Sequence, residues 1–489
     1  MNVEFKEEDN MSFVNGMDMM ASVKSTENGG YSYSNTGGGA LLDFFSVVGS
    51  MRKRDEKDIL DMYHAARAED KELADKIILY VSNIRDGGLG ERRIGRILLK
   101  ALAFLDRHKV ERNFQTFVNN SRFDCLYALE GTPAETAMWQ FMKDTLLKDA
   151  AAMKAGKPIS LAAKWMKSIN TSSAESKRLA RKFCTVAGIS ERTYRKTLAA
   201  LRKYSNVVEV KMSTNEWEDI NFEAVPSIAM KRYSSAFGKH CPNAFTQYKR
   251  ELTAGEAKVN AQTLYPYDIT YQFMYGGNAD RDILEAQWKA QKNWFKEDAK
   301  IVVAADVSGS MVGMPMAASV GLAMYAATFN QGPYHGYYLT FTDKPYFYKI
   351  DENESLETNI RKVMRNVGYN TEMDKMFEAI YEMAVRENDA PDALVIVSDM
   401  EIDRFMRANA CDDIITKWVN KFRNAGLECP KLILWNAESR QNTYLARSNN
   451  PYVAFVSGVS AGTFGNLTEL ISMSAYEAMV KILSQYEFV

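Results

Sequence analysis

Two spacings of apolar residues divide this chain. From about residue 41 to 290, apolar positions recur every three or four residues, as in ADKIILYVSNI (74–84) and AMWQFMKDTLLKDAAAM (137–153). This spacing predicts amphipathic helices, and short Gly and Pro breaks near 87–88, 131–133 and 156–158 separate them. We expect stacked helical pairs, although no fixed sequence period marks a regular repeat.

From about residue 298 the pattern changes to short, continuous apolar runs rich in β-branched and aromatic residues. Helical stretches near 314–330, 373–387 and 411–425 alternate with them. Such alternation predicts a parallel sheet covered by helices on both faces. The runs are KIVVAAD (300–306), GYYLTF (336–341), YFYKI (346–350), ALVIVSD (393–399) and KLILW (431–435).

The predicted organisation has three parts. Residues 1–40 end in NGGYSYSNTGGGA and are expected to form a flexible tail, 41–297 a helical-repeat domain, and 298–489 an α/β domain. No apolar run approaches the roughly 18 residues of a membrane span, and the acidic first ten residues do not look like a secretory signal. Five scattered cysteines without a CxxC pair favour a reducing cytoplasm. We expect a cytoplasmic monomer.

Charge is unevenly distributed along the chain. The net charge is −1, but residues 301–489 carry 16 Lys and Arg against 23 Asp and Glu. Residues 151–204 carry 13 basic side chains and two acids, Glu175 and Glu191. A surplus of this size indicates a polyanionic partner.

Oxygen-bearing side chains follow two of the predicted strands. Asp306, Ser308 and Ser310 come directly after one strand, Asp399 ends another, and Thr371 precedes a helix between them. Ligands of open α/β sheets bind beyond the carboxyl ends of the strands, and carboxylates with hydroxyls suit hard divalent cations.

In this order the five residues resemble the metal-ion-dependent adhesion site of von Willebrand factor A domains. The resemblance implies that Ser308, Ser310 and Thr371 offer hydroxyls, and that Asp306 and Asp399 bind directly or through water. One position would stay open for an acidic group of a protein partner. The expected ion is Mg²⁺, with Mn²⁺ and Ca²⁺ as alternatives.

Little in the sequence indicates catalysis. Ser308 stands where an aspartyl-phosphate enzyme would carry a second Asp, and no GxxxxGK[ST] loop is present. Glu401 and Asp403 could supply a general base beside a metal or form an acidic rim. The four histidines are isolated. We expect no enzyme and no catalytic residues.

The basic segment is predicted to form two helices separated by Gly188. Ser172 and Ser190 are positioned as N-caps, with Glu175 completing a capping box for the first helix. Basic side chains cluster on one side of each helix and suit a phosphate backbone. The predicted RNA-binding residues are Lys164, Lys167, Lys177, Arg178, Arg181, Lys182, Arg192, Arg195, Lys196 and Lys203. CTVAGISERTYRKTLAAL (184–201) also resembles a helix-turn-helix, so a DNA-binding alternative stays open.

Four helical motifs resemble a family of uncharacterised Ro-like proteins, related to the TROVE module of the Ro ribonucleoprotein. The resemblance, with the A-like domain behind it, covers about residues 41–489. It implies a HEAT-like ring that binds structured or misfolded small RNA on a basic outer surface and admits single-stranded ends. The motifs are NIRDGGLGERR (83–93), SLAAKWMKSINTSS (160–173), RKTLAALRKYSNVVEVKMS (195–213) and VPSIAM (225–230).

Two further expectations concern side chains that could contact such an RNA. Trp165, Tyr194 and Tyr204 are candidates for base stacking, although each has an alternative place in the core. Arg85, Arg92 and Arg93 flank glycines and either grip phosphate or pair with Asp86 and Glu91.

Three functions therefore compete. The first is a Ro-like RNA-binding protein whose A-like domain recruits a protein partner through a divalent cation. The second is a metal-dependent adapter without an RNA role, and the third is a DNA-binding protein that uses the helix-turn-helix at 174–203.

Overall fold

Helices dominate the first part of the chain and a β-sheet follows, in the order that the apolar spacing predicts. The computed structural model describes residues 22–26, 31–85, 87–205, 207–295, 300–330, 332–342, 344–365, 372–401 and 410–489. Before residue 290 the described elements are strands β1 (Val23–Ser25) and β2 (Tyr31–Tyr33) and helices α1 (Ala40–Val47), α2 (Glu56–Glu69), α3 (Lys71–Ser82), α4 (Arg92–Leu105), α5 (Arg107–Arg112), α6 (Phe114–Asn120), α7 (Glu135–Lys154), α8 (Ala162–Trp165), α9 (Ala174–Ala187), α10 (Glu191–Tyr204), α11 (Val208–Ser213), α12 (Ser227–His240), α13 (Pro242–Ala254), α14 (Pro266–Tyr275) and α15 (Arg281–Lys289).

The second part is an α/β unit built on one sheet. Its described elements are β3 (Ile301–Asp306), α16 (Met314–Phe329), β4 (Tyr337–Phe341), β5 (Phe347–Lys349), α17 (Leu356–Met364), α18 (Met373–Glu387), β6 (Ala393–Ser398), α19 (Ala410–Asn424), β7 (Lys431–Asn436), β8 (Val453–Ser457), α20 (Leu467–Ser472) and α21 (Ala475–Leu483). The predicted helical part followed by an α/β part is confirmed.

The sheet has the strand order of a doubly wound fold. Its six strands run β5-β4-β3-β6-β7-β8, and all neighbours are parallel except β5, which pairs antiparallel with β4. Strands β3 and β6 are buried along their whole length because helices cover the sheet. The chain leaves β3 towards β4 and returns on the other side at β6, so the order reverses between these two strands. That switch point is where doubly wound sheets bind ligands.

Helix α16 lies between the sheet and the helical part, which explains why it is apolar on all sides. Ser319 Oγ donates to the carbonyl of Val397 in β6, at 2.9 Å. From the other side, Thr270 Oγ1 of α14 donates to the carbonyl of Ala317, at 2.7 Å. A Cβ at Gly321 would lie 3.1 Å from the backbone of Pro266, so the two helices approach closely at this glycine.

The helical part contacts the α/β unit near both of its ends. Helix α1 packs on β8, and the Gly49 amide donates to Ser457 Oγ at 3.0 Å. Helix α14 packs on α16, and α21 packs on α3. Most of the apolar core is continuous across the two parts, whereas α12, α13 and α15 enclose a second, smaller core.

Part of the predicted flexible tail, residues 22–26 and 31–40, contacts the α/β unit. Strands β1 and β2 pair with each other, and Tyr33 forms a bridge with Tyr444 of the α/β unit. Tyr33 and Thr36 are fully buried, because this stretch uses the surface of the second part as its core. The polar composition of this stretch gave no sign that it would be buried against another part of the chain.

Candidate functional site

The carboxyl ends of β3 and β6 bring the predicted oxygen ligands together. We call residues 306–311 and 398–401, which follow these strands, the crest. Asp306 ends β3 and Asp399 follows β6, and the two strands pair in parallel register. Both carboxylates are nearly completely buried. The sequence order of these residues therefore becomes a spatial cluster at the switch point of the sheet.

Asp306 is held by its neighbours in a fixed orientation. Its Oδ1 accepts from the Ser308 amide at 2.9 Å, and its Oδ2 accepts from Ser398 Oγ at 2.6 Å. Ser308 Oγ and Ser310 Oγ lie 3.1 Å apart. The Ser308 and Ser310 hydroxyls thus lie side by side, directly after the fixed Asp306 carboxylate.

Asp399 carries a buried carboxylate oxygen that is poorly satisfied. Its Oδ1 accepts from the Glu401 amide at 3.1 Å, whereas Oδ2 forms no hydrogen bond and lies 3.4 Å from Arg440 Nη2. Burial, followed by the neighbouring Asp306 carboxylate, raises the pKa of Asp399 to about 6. The crest therefore holds more negative charge than its hydrogen bonds stabilise.

These features fit a hard divalent cation. Carboxylate and hydroxyl oxygens are the ligands that Mg²⁺ and Ca²⁺ prefer, and Asp399 Oδ2 would accept a cation that displaces the Arg440 guanidinium. Within the described ranges no three His, Cys, Asp or Glu side chains group around a common point, so a cation here would depend on the serine hydroxyls. Thr371, the fifth predicted ligand, lies outside the described residues.

Two crest contacts escaped prediction from the sequence. Ser398 holds Asp306, and its only sequence signal is its place at the end of a buried strand. Arg440, in the loop after β7, donates to the carbonyl of Ser310 at 2.7 Å and faces Asp399. Arg440 lies more than 40 residues from Asp399 in the sequence, so only the pairing of β6 with β7 places it here.

Glu401 has a structural contact in this loop region. It is buried and accepts from Thr443 Oγ1 at 2.9 Å. Asp403, the other acidic side chain considered for a rim or a general base, lies outside the described residues.

The two basic helices form as predicted, with one shift. Gly188 ends α9 in the left-handed conformation at φ 65°, and Ser190 caps α10 by accepting from the Thr193 amide. Helix α9 begins one residue later than predicted, because the capping side chain is Ser173 rather than Ser172.

Most of the basic side chains of α9 are neutralised by acids. Arg178 forms ion pairs with Glu130 at 2.6 Å and Glu175 at 2.7 Å. Lys182 pairs with Glu130 and Glu135. Hydrogen bonds from Arg178 and Lys182 lower the pKa of Glu130 to about 2. Because Glu130 and Glu135 lie outside residues 151–204, the charge count for that segment overstated the surplus.

Arg181 also has an acidic partner, since its Nε lies 3.3 Å from Glu191. Lys177, which is half-buried, forms no ion pair with any described residue. It is thus the one predicted basic residue of α9 without an acidic partner within the described ranges.

Helix α10 presents the clearest unneutralised row. Arg192, Lys196 and Lys203 are exposed and pair with no acid among the described residues. Arg195, also exposed, reaches Asn170 Oδ1 only at 3.5 Å. The opposite face of the helix buries Tyr194, Leu198 and Leu201. The basic row is therefore the solvent face of a well-anchored amphipathic helix.

Lys164 and Lys167 lie beside aromatic rings. Lys164 Nζ is 5.5 Å from the centre of the Trp165 ring, and Lys167 Nζ is 5.2 Å from that of Tyr127. Both are half-buried and form no ion pair with an acid in the described part of the chain.

The predicted stacking residues are only partly available. Tyr194 is completely buried and donates to the Lys167 carbonyl at 2.6 Å, so its role is structural. The Arg122 guanidinium covers one face of Trp165 at 3.8 Å. Tyr204 is exposed, with its hydroxyl bonded to the Lys157 carbonyl.

The arginines of the glycine-rich loop do not share one role. Arg85 is exposed, Arg92 pairs with Asp124 at 3.2 Å, and Arg93 Nη1 donates to the carbonyl of Arg52. Glu91 pairs with Arg52 instead of these arginines, at 2.5 Å, and Asp86 lies outside the described residues.

Two general features complete the description of the molecule. All five cysteines are unpaired, and four of them are buried. The described helices include none whose length and apolar character would let it cross a membrane.

Comparison with known proteins places the chain near others without an assigned role. Residues 170–301 match the model of a domain of unknown function (DUF2828), and residues 300–479 match that of another (DUF7788). The chain is 28% identical to the uncharacterized protein L728 of Acanthamoeba polyphaga mimivirus, over 96% of this chain and 88% of the relative.

A structural comparison returns the crystal structure of the Ro (RSR) protein of Deinococcus radiodurans. Its sequence identity is 14%, and the match covers 79% of this chain and 93% of that one. The TM-score is 0.34, a likeness too weak to transfer a fold or a function.

Proposed function

We propose that this protein binds RNA through its basic helices and is Ro-like in organisation, with the helices forming a HEAT-like ring. The observation that supports this most is the row Arg192, Lys196 and Lys203 on α10, which no described acid neutralises. A folded protein holds several unpaired cations on one rigid helix face at an electrostatic cost, and a phosphate backbone removes that cost. The sequence motifs that resemble those of Ro-like proteins also favour RNA binding.

RNA is favoured over sequence-specific DNA by the kind of side chain exposed. The solvent face of α10 carries four cations, Arg192, Arg195, Lys196 and Lys203, with Ala199 and Ala200 between them and Glu191 at its start. Such a face suits contacts to phosphate and helix shape, which is how structured RNA is recognised. Duplex DNA remains an outcome of the test.

The experiment is a titration of the purified full chain with three labelled probes: an RNA hairpin, a single-stranded RNA and a DNA duplex. Affinity is measured from about 50 to about 200 mM salt. We expect tighter binding to RNA than to DNA and a steep fall in affinity with salt. No RNA binding at low salt, or a preference for the duplex, contradicts the proposal.

A second candidate function belongs to the crest: cation-dependent binding of a protein partner. It is supported by the buried Asp399 oxygen and the facing hydroxyls of Ser308 and Ser310. Asp306, Asp399 and the two serines would hold Mg²⁺, which would draw in an acidic group of the partner. We propose a binding role for this ion and no catalytic one.

The crest is tested by titrating the full chain with Mn²⁺ and measuring binding by electron paramagnetic resonance. We expect one bound ion that Mg²⁺ displaces. The absence of a specific Mn²⁺ ion would contradict the second function and leave the first untouched.

A further inference from the structure

Three guanidinium groups converge on one carboxylate away from the predicted basic helices. Arg92 and Arg96 of α4 and Arg122 all contact Asp124 Oδ2, at 3.2, 2.8 and 2.7 Å. We call Arg92, Arg96 and Arg122 the arginine cluster. The Asp124 carboxylate is nearly buried, with 9% of its side chain exposed.

The arginine cluster carries a charge surplus. No other acidic side chain within the described ranges contacts any of the three arginines, so one negative charge faces three positive ones. Arg178 on α9 shows the reverse, because two carboxylates hold a single guanidinium. The side chains of Arg92 and Arg96 are 44% and 37% exposed, which leaves them accessible to a ligand.

Two arginines of the cluster border a small cleft and have hydrogen-bond donors that no described residue uses. Arg92 and Arg96 line it together with Ser82 and Ser121. Both arginines bond to Asp124 only through Nη2, so their Nε and Nη1 donors remain available. Burial, followed by the charge of Arg122, lowers the pKa of Arg92, in line with a site that lacks negative charge. Guanidinium donors of this kind match the oxygens of a phosphate group.

The arginine cluster is connected by side-chain contacts to helix α8. The Arg122 guanidinium stacks on the Trp165 ring at 3.8 Å, and Lys164 Nζ lies 5.5 Å from the centre of the same ring. Trp165 belongs to α8, which packs directly against α10. Basic side chains are thus linked by contact from α4 to α8.

We propose that the arginine cluster is a phosphate-binding site, in which Arg92 and Arg96 grip a phosphate of the bound RNA. This inference rests on the proposed RNA-binding function. Asp124 and Arg122 act as the support: the carboxylate orients the two exposed guanidiniums, and Arg122 keeps it neutralised.

The test compares two double variants of the full chain. Arg92→Gln with Arg96→Gln removes the surplus, while Arg122 still pairs with Asp124 and no buried charge is left alone. Arg361→Gln with Lys362→Gln on α17 is the matched control, because it removes two basic groups that already pair with Glu357 and Glu354. Affinity for the RNA hairpin is measured across the salt series, and thermal unfolding is followed with and without inorganic phosphate.

We expect the first variant to bind RNA about tenfold more weakly near 50 mM salt and to lose up to about two units of salt slope. The control should keep the slope. Phosphate should raise the Tm of the wild type and the control but not that of the first variant.

Two results contradict different claims. If the wild type binds no RNA while phosphate still stabilises it through Arg92 and Arg96, the RNA proposal fails and the phosphate site stands. If RNA affinity, salt slope and the response to phosphate are all unchanged in the first variant, the inference is overturned.

Discussion

The sequence predicts the arrangement of the crest more completely than it predicts the charge of the basic helices. At the crest, residues far apart in the chain come together, because parallel strands place their carboxyl ends at one edge of the sheet. On α9 the basic side chains lie where their spacing predicts, yet Glu130 and Glu135 neutralise two of them from another segment. The sequence therefore predicts which backbone segments meet more directly than it predicts which charged side chains are left without a partner.

Among the crest residues, we expect a substitution of Asp306 to weaken cation binding most. Changing Asp306→Asn keeps the size of the side chain but removes the charge that two hydrogen bonds hold in place. We expect Mn²⁺ affinity to fall by at least about a hundredfold, since the loss of groups that only support ligands already costs 10- to 100-fold. Electron paramagnetic resonance measures the bound ion.

Asp144→Asn, at an exposed position of α7, is the control for that substitution and should leave Mn²⁺ binding unchanged. Equal affinities of Asp306→Asn and wild type would show that the crest is not the cation site.

Arg440 is expected to oppose the cation. Its guanidinium lies 3.4 Å from Asp399 Oδ2, in the region where an ion would bind. Arg440→Gln removes a nearby positive charge and should raise Mn²⁺ affinity about tenfold. Arg447→Gln, another arginine of the same connecting segment, serves as the control. Weaker Mn²⁺ binding in Arg440→Gln would mean that Arg440 positions Asp399 instead of competing with the ion.

A substitution at Glu130 tests whether its ion pairs keep Arg178 and Lys182 from contacting RNA. Glu130→Gln leaves Arg178 with one acidic partner and Lys182 with one, so we expect RNA affinity to rise about threefold at low salt. The gain should disappear as salt increases. Unchanged or weaker RNA binding would indicate that α9 does not face the RNA.

The same carboxylate predicts a pH dependence of stability. Hydrogen bonds from Arg178 and Lys182 lower the Glu130 pKa to about 2 from an ordinary 4.5. A lowered pKa in the folded state contributes stability above pH 4.5, and that contribution is lost as the pH falls towards 2. Urea midpoints of wild type and Glu130→Gln should differ near neutral pH and converge in acid. A constant difference would argue against the ion pair.

Local patterns could predict much of this molecule from its sequence. The strand runs, the helix limits near Gly188 and Ser190, and the alternation after residue 298 all follow from local spacing. The docking of Tyr33 on Tyr444 and the approach of Arg440 to Asp399 could not be predicted, because both join distant segments. Arg92 was considered as a phosphate contact, but its grouping with Arg96 and Arg122 was not predicted, because Arg122 lies in another segment and the three meet only at Asp124.

The most direct measurement is the salt dependence of RNA affinity in two variants of the basic helices. One changes Arg192, Lys196 and Lys203 of α10 to Gln, and the other changes Arg178 and Lys182 of α9 to Gln. If unpaired charge governs binding, the α10 variant loses affinity by at least about tenfold with a shallower salt slope, and the α9 variant stays close to wild type. Equal losses in both variants, or none in either, would contradict the assignment of RNA binding to the unpaired row of α10.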